Sequence, residues 1–378
     1  MRGAGLEEVL SRVAEIVADV RERGDAALRE WTERLDGEVA ELRVPAERIA
    51  AARLDEELLD AVRAMAAAVR AFVEPQRPPD TAVEAVPGVR AERRWLPLSS
   101  VGVYVPGGRA AYPSSLVMAA VPAQVAGVER IVVVSPSPSE ATLATAAALG
   151  LDEVYAVGGA QAVAALAYGT ETVPKVDKIV GPGNRWVTAA KLLVSSSCAI
   201  DLPAGPSEVV LVADATASAE RCAADLLAQA EHGPDSEAIL LSLDPDLSAA
   251  VASLVDGYGN VSVRDVASLD DALAAAETYA PEHLELWVAD AETVARRMRN
   301  AGTVFVRTSA AVGDYAAGAT HVLPTGGLAR GSGGIGLETF LKPVQVVAAD
   351  DLEAAQAVAL PLARAEGFVH HAAALELA

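Results

Sequence analysis

Residues 101–134 read VGVYVPGGRAAYPSSLVMAAVPAQVAGVERIVVV, and the fold class follows from this stretch. Val101-Gly-Val-Tyr-Val105 and Arg130-Ile-Val-Val-Val134 are short apolar runs of the kind that form buried strands. An Ala-rich helical stretch at 114–127 lies between them. Strand, helix and strand in that order imply a parallel pair with a crossover helix. The alternation continues with strands at 153–157 and 178–180 and helices at 140–149, 160–168 and 184–195. After Asp201-Leu-Pro-Ala-Gly205 it begins again. Strands are expected at 207–213, 237–243, 283–288 and 302–306, and helices at 217–230, 246–255, 268–279 and 290–299.

Upstream, residues 6–35 carry helical periodicity through Leu6, Val9, Leu10, Val13, Ile16 and Val17, with a break at Gly24. A second helical stretch at 46–72 ends in Pro75-Gln-Arg-Pro-Pro79. The expected architecture is α/β: two tandem Rossmann-like parallel-sheet units, without a standard GxGxxG fingerprint, between a helical N-terminal section and an extended C-terminal tail. The N-terminal section is expected to pack on the second unit. That divides the chain into a first α/β domain of 1–103 plus 207–335, an inserted domain of 104–206, and a tail of 336–378.

Composition bounds the function. Hydrophobic residues make up 52% of the chain and aromatics only 4%, so Ala, Val and Leu must build the core. A net charge of -22 with no offsetting basic block argues against nucleic-acid or anionic-membrane partners. The N-terminus lacks a basic-then-apolar leader, and no apolar run reaches the ~20 residues that span a bilayer. Cys198 and Cys222 suit two buried thiols in a reduced, cytoplasmic enzyme better than a disulfide framework.

Three strands of the first unit run into glycine loops: Pro106-Gly107-Gly108, Gly158-Gly159-Ala160-Gln161 and Gly181-Pro182-Gly183-Asn184. The C-terminal ends of parallel strands share one edge, where ligands bind. Glycine admits close backbone approach there, and helix N-termini favour an anion. Tyr104, Gln161 and Asn184 would offer a ring face and amide groups at that rim. Any one such loop is as easily an ordinary tight turn; the argument rests on their recurrence. By contrast, Gly331-Ser-Gly333-Gly-Ile-Gly336 matches G-x-G-x-x-G but follows Pro324-Thr-Gly-Gly rather than a strand, and reads as a flexible loop.

The five histidines lie in short polar islands, and imidazole suits both metal binding and proton transfer near neutral pH. Gln229 and His232 stand three residues apart at a helix end stopped by Gly233-Pro234, so they share a face. Asp314 and His321 bracket a third island, and His370-His371 follow Glu366 near the C-terminus. The Gln229 carbonyl oxygen, His232, Asp314 and one C-terminal His would make an oxygen- and nitrogen-rich set suited to zinc. Taken alone, Gln229 and His232 more readily describe a capped helix end than a metal site. Glu282-His283 opens a strand, where irregular geometry would let both side chains reach one cleft; an imidazole beside a carboxylate is useful acid–base chemistry. A surface Glu beside a half-buried His is the plainer reading of that pair.

Together these segments resemble the histidinol dehydrogenase family. The similarity runs from Arg23-Gly-Asp-Ala-Ala-Leu28 through the three glycine loops and Pro203-Ala-Gly-Pro-Ser-Glu-Val209. It continues through Gln229-Ala-Glu-His-Gly-Pro-Asp-Ser236, Pro281-Glu-His283 and Gly313-Asp-Tyr-Ala316 to His321-Val-Leu-Pro-Thr325. The Gln-Ala-Glu-His-Gly-Pro-Asp-Ser string is specific, whereas Gly-Pro-Gly-Asn alone is not. The resemblance implies a zinc- and NAD-dependent four-electron oxidation of L-histidinol to L-histidine through an enzyme-held aldehyde. It implies Gln229, His232, Asp314 and His371 as zinc ligands, and Glu282 and His283 as the acid/base pair. Ser207 and Glu366 would contact substrate together with His283 and the metal ligands, and Tyr104, Gln161 and Asn184 would contact NAD. It implies a homodimer whose C-terminal tails cross over, so that Glu366 and His371 act in the other subunit's site. The chain departs from the family pattern in a later start, a tail stopping seven residues after His371, and a glycine-rich run at 331–334. The nearest alternative is a related zinc- and NAD-dependent dehydrogenase of another polar alcohol, such as a sulfonated propanediol. A zinc hydrolase using Glu282, or a non-catalytic α/β ligand-binding protein, would lack a nucleotide at the glycine loops or lack turnover.

Overall fold

A computed structural model describes residues 4–37, 41–107 and 112–377, with residues 4–7 by backbone alone. Gly108 of the first glycine loop and the Leu6 side chain lie outside the described residues. The chain opens with α1 (Ala4–Arg23) and α2 (Asp25–Asp36), parted at Gly24, whose φ of 56° is the left-handed conformation that glycine tolerates. The helical stretch expected from 46 to 72 is made of two helices, α3 (Ala46–Ala51) and α4 (Glu56–Val73). Asp55 starts the second by accepting a hydrogen bond from the Leu58 N–H at 2.8 Å.

A hairpin of β1 (Thr81–Val86) and β2 (Val89–Pro97) follows. The first unit then runs β3 (Ser100–Tyr104), α5 (Pro113–Ala126), β4 (Arg130–Val134), α6 (Glu140–Ala148), β5 (Val154–Tyr155), α7 (Gly159–Tyr168), β6 (Lys178–Val180), α8 (Arg185–Val194) and β7 (Ala199–Ile200). Its five strands are parallel in the order β5-β4-β3-β6-β7. The second unit runs β8 (Glu208–Ala213), α9 (Ala219–Ala230), β9 (Glu237–Ser242), α10 (Pro245–Leu254), β10 (Val261–Asp265), α11 (Leu269–Tyr279), β11 (His283–Trp287), α12 (Ala291–Ala295), β12 (Thr303–Val306) and α13 (Ala310–Tyr315). Its strands are parallel in the order β10-β9-β8-β11-β12. Each sheet therefore has its first strand in the middle, the doubly wound pattern that the alternation of strands and helices implies.

The N-terminal section packs chiefly on the first unit and not, as the sequence suggested, on the second, although α4 also meets Gly318 and shares a core with Val322 and Ile335. Val9, Val13, Ile16, Val20 and Leu28 join a core with Tyr104, Val132, Val157, Val163 and Ile179 on one side of that sheet. Val62, Met65, Val69 and Val73 of α4 join Val101, Val103, Leu116 and Met118 on the other. The reason lies in the first unit's own helices. Ten of the fourteen residues of α5 and eight of the ten of α7 are buried. A helix apolar all round needs a further layer outside it, and α1, α2 and α4 supply that layer.

The region after 336 begins with β13 (Leu341–Ala349), which pairs antiparallel with β2 to complete a three-stranded sheet, and continues as α14 (Glu353–Ala365) and α15 (Val369–Leu377). These strands escaped the sequence reading because they bury little: Val83, Val344 and Val347 are all exposed. The glycine-rich loop is held in place, with Ile335 buried and its N–H bonded to the Val322 carbonyl at 3.0 Å. No helix among the described residues is long and apolar enough to cross a membrane.

Gly181 shows how closely the glycine loops are built. It has φ 114°, and a Cβ there would stand 2.2 Å from the Tyr104 carbonyl oxygen. Gly181→Ala is expected to destabilise the protein by at least about 2 kcal/mol, read as a lower urea midpoint. An unchanged midpoint would contradict this packing.

Candidate active site

The second sheet carries polar groups where a central strand ordinarily has none. Every residue of β8 and β11 is buried, and His283 and Glu285 are among them. Strands buried on both faces normally read as continuous hydrophobic runs. Buried polar side chains in such a strand therefore point to chemistry or to a specific network.

Glu282 sits at the entry to β11, beside the start of β8. One carboxylate oxygen, Oε2, accepts from the Ser207 hydroxyl at 2.6 Å and from the Glu208 N–H at 2.9 Å. Burial pushes this carboxyl up to about 7 even though both hydrogen bonds favour its charged form. Its approach depends on the chain around it. Ala280 takes a left-handed φ of 54°, and Gly302 has no Cβ to meet the Glu282 carbonyl, which would lie only 2.6 Å away. This irregular strand entry is what brings two sequence neighbours to one place.

His283 Nδ1 lies 3.2 Å from the Glu208 carbonyl oxygen. A carbonyl only accepts, so Nδ1 carries the hydrogen and Nε2 keeps its lone pair. Burial holds this imidazole below its ordinary pKa, against the attraction of Asp314, and so favours the neutral ring. Nε2 is buried without a hydrogen-bond partner, 3.8 Å from Asp314 Oδ1. An unprotonated nitrogen with a fixed tautomer is a general base in waiting.

Around this pair stand the other candidates. Gln229, in the last turn of α9, is buried; its Oε1 is 3.4 Å from Ser207 Oγ, and its Nε2 has no partner. His232 donates from Nδ1 to the Ala228 carbonyl at 3.1 Å, which leaves Nε2 as its free donor atom. Asp314, near the end of α13, has its carboxyl raised by burial, with His283 and His232 pulling the other way. The structure thus brings Ser207, Gln229, His232, Glu282, His283 and Asp314 together at the N-terminal edge of the second sheet. His321 belongs here too, although no role was read for it. Burial pushes its imidazole down to about 4, His283 and His232 act on it, and its Nε2 is buried without a partner.

Glu366 and His371 are not in this cluster within one chain. Both are exposed, Glu366 at the end of α14 and His371 on α15 against the Phe368 ring at 5.1 Å. Neither is among the groups acting on Glu282, His283 or Asp314. Among the described residues of one chain, no three His, Cys, Asp or Glu side chains gather as a metal site. The tail instead exposes Val358, Leu362, Phe368, Val369 and Leu377.

The glycine loops assemble a second locus at the C-terminal edge of the first sheet. The Gly159 N–H donates to the Tyr104 hydroxyl at 3.1 Å, which joins the first two loops. Tyr104 is buried, so it holds the rim together and does not present the open ring face expected from the sequence. Gln161 is buried, donating to Asp36 Oδ2 at 3.2 Å while its Oε1 has no partner. Asn184 caps α8, accepting from the Trp186 and Val187 N–H groups. Sequence reasoning missed the clamp on the third loop. Lys191 Nζ donates to the Gly181 carbonyl at 2.7 Å and to Asp201 at 2.5 Å, while Asp201 accepts from the Gly181 N–H at 2.8 Å. A lysine inside the apolar run of α8 was the available signal.

The family model described as histidinol dehydrogenase matches residues 2–378. A histidinol dehydrogenase of Methanosarcina barkeri is 43% identical over 401 residues, covering 99% of this chain and 93% of that protein. One from Natronomonas pharaonis is 44% identical over 401 residues, covering 99% and 94%. The crystal structure of histidinol dehydrogenase from Elizabethkingia anophelis superposes with a TM-score of 0.91 at 34% identity, covering 98% of this chain and 92% of that one.

The Glu282 environment makes a pH-dependent prediction for the metal-free protein. The folded pKa of about 7 lies above the ordinary 4.5, so the fold retains a proton that the unfolded chain releases. Glu282 therefore costs stability once the pH exceeds about 4.5, and the full cost, on the order of 3 kcal/mol, is present above about 7. Glu282→Gln should be more stable than the parent at pH 8, with the advantage vanishing toward pH 4. A stability difference independent of pH would show that the carboxyl is not held in this way.

Proposed function

Because the chain belongs to the histidinol dehydrogenase family, we propose that it oxidises L-histidinol to L-histidine through the aldehyde, with zinc and NAD. The observation that carries the reading is His283, whose tautomer is fixed by the Glu208 carbonyl and whose Nε2 is buried and unpartnered.

The donor set fits zinc. Gln229 offers an amide oxygen beside an orphaned buried Nε2, His232 has Nε2 free, and Asp314 has a half-buried carboxylate. Oxygen and nitrogen donors with a single anion suit a catalytic zinc that keeps positions open. His371 would be the fourth ligand. When bound, zinc would hold the substrate's imidazole and amine and so fix the carbinol carbon. NAD would occupy the glycine-loop rim, which Tyr104 braces from beneath, with the unpartnered Gln161 Oε1 and the Asn184-capped end of α8 as its contacts, and would accept a hydride in each oxidation.

The chain's own residues would then handle protons and position. His283 Nε2 takes the hydroxyl proton of histidinol while Nδ1 stays bonded to the Glu208 carbonyl. Glu282, poised near neutral pH, assists the addition of water to the aldehyde, and His283 takes the hydrate's hydroxyl proton in the second oxidation. Ser207 orients the Glu282 carboxyl and the substrate. Glu366 and His371 would reach this site from the partner subunit, which accounts for both their exposure and the apolar surface beside them.

Purified protein with zinc, NAD+ and L-histidinol should yield two NADH per histidinol consumed. Turnover of another polar alcohol but not of histidinol would point to the related dehydrogenase reading. His283→Asn should abolish oxidation and leave zinc content nearly unchanged; loss of the metal would put His283 in the wrong role. Mixing His283→Asn with His371→Ala subunits should restore about a quarter of parental activity, since half of the dimers are mixed and each has one intact site. A mixture that stays inactive would place both residues in the same subunit's site.

A further inference from the structure

Behind the site lies a carboxyl pair that the proposed chemistry does not use. Glu285 follows His283 by two residues on β11 and therefore shares its face of the strand, opposite Leu284 and Leu286. It is 1% exposed. Both of its oxygens are engaged: Oε2 accepts from Trp287 Nε1 at 2.8 Å, and Oε1 accepts from the Ala310 N–H at 2.7 Å. Ala310 is the first residue of α13, so this bond anchors the helix that carries Asp314 one turn later. On the other side Glu285 meets the carboxyl of Asp225, which lies on α9 one turn before Gln229. Asp225 Oδ2 is buried and receives no hydrogen bond.

Two carboxyl groups in contact, with no donor for the buried oxygen of one, cannot both be ionised at reasonable cost. The groups acting most strongly on Glu285 are Asp225, Trp287 Nε1 and the Ala310 N–H, with no cation among them. The nearest cation on α9, Arg221, lies over the Trp287 ring at 5.1 Å. Cys222, also on α9, is itself pushed up to about 12 by burial and by both carboxyls, and so adds no charge. A single proton between the carboxyls supplies the missing donor. Consistently, burial and Asp225 together push Glu285 up to about 8.

We propose that Asp225 and Glu285 are positioning residues: one proton shared between their carboxyl groups ties α9, β11 and α13 together and so fixes Gln229, His283 and Asp314 relative to one another. The pair touches neither substrate nor metal. Its role rests on the functional reading above, since the groups it aligns are the proposed zinc ligands and base.

Zinc affinity of the full-length protein, measured by competition with a chelator, tests the positioning. Infrared spectroscopy at neutral pH tests the proton. E285A should bind zinc about 10- to 100-fold more weakly than the parent, whereas E285Q, which keeps an acceptor for Ala310 and a donor for Asp225 and gives up only the acceptor for Trp287 Nε1, should lose much less. The parent should show a protonated-carboxyl C=O band that E285Q and D225N each remove and that E282Q, which deletes the other carboxyl raised to near neutrality, retains. Unchanged zinc affinity in E285A, or E285Q as impaired as E285A, would overturn the proposal, and so would a parent spectrum without that band. The infrared arm needs no E285A protein, so the proposal remains testable if that variant does not fold. A parent protein that binds no zinc, yet shows the band, would defeat the functional reading and leave the shared proton standing.

Discussion

The two backbone polar groups of Glu208 hold the site's proposed acid/base pair, Glu282 and His283. Its N–H donates to Glu282, and its carbonyl accepts from His283 Nδ1. A residue that begins a central strand has backbone groups extending past the ladder, and here they are spent on side chains instead of on a further strand. The constraint is strict because β8 is locked between β9 and β11, with His283 in register with Val209. A shift of either strand would separate the carboxyl and the imidazole from the same peptide groups. What surrounds this point, from the left-handed Ala280 to the missing Cβ at Gly302, makes that geometry reachable.

Burial acts on the two groups in opposite directions, and that is useful. It raises the Glu282 carboxyl toward neutrality and lowers the His283 imidazole. Both are thereby favoured in their uncharged forms near neutral pH, one as a proton donor and one as an acceptor. The same low dielectric makes the carboxyl pair behind them retain a proton. The second sheet thus carries two layers of polar groups inside an otherwise apolar core, a forward layer suited to reaction and a rear layer suited to alignment.

How far the sequence disclosed this depended on whether the cause was local. The alternation of Val-rich runs with Ala-rich stretches is a local pattern, and both parallel sheets were legible from it. Gly24, the glycine loops and the Glu282-His283 strand entry were legible for the same reason, because special backbone conformations require particular residues. The destination of the N-terminal helices was not, although α5 and α7 lack a polar face and so call for an outer layer. Strands β1, β2 and β13 bury little in one chain and leave only a weak pattern. Glu285 was hidden in His-Leu-Glu-Leu-Trp, where alternation suggests a solvent-facing position; Trp287 and the remote Asp225 of α9 and Ala310 of α13 are what it meets. Glu366 and His371 are the extreme case. Their proposed role depends on a second copy of the chain, which neither periodicity nor the fold of one copy supplies.

The account therefore turns on whether donors from α9, α13 and another subunit's α15 converge on one ion. Anomalous diffraction at the zinc absorption edge, from crystals grown with zinc and L-histidinol, addresses this directly. The account predicts one strong peak per subunit, bonded to Gln229, His232 and Asp314 of one copy and to His371 of the other. A peak elsewhere, or one at this site with His371 remote in both copies, would contradict it.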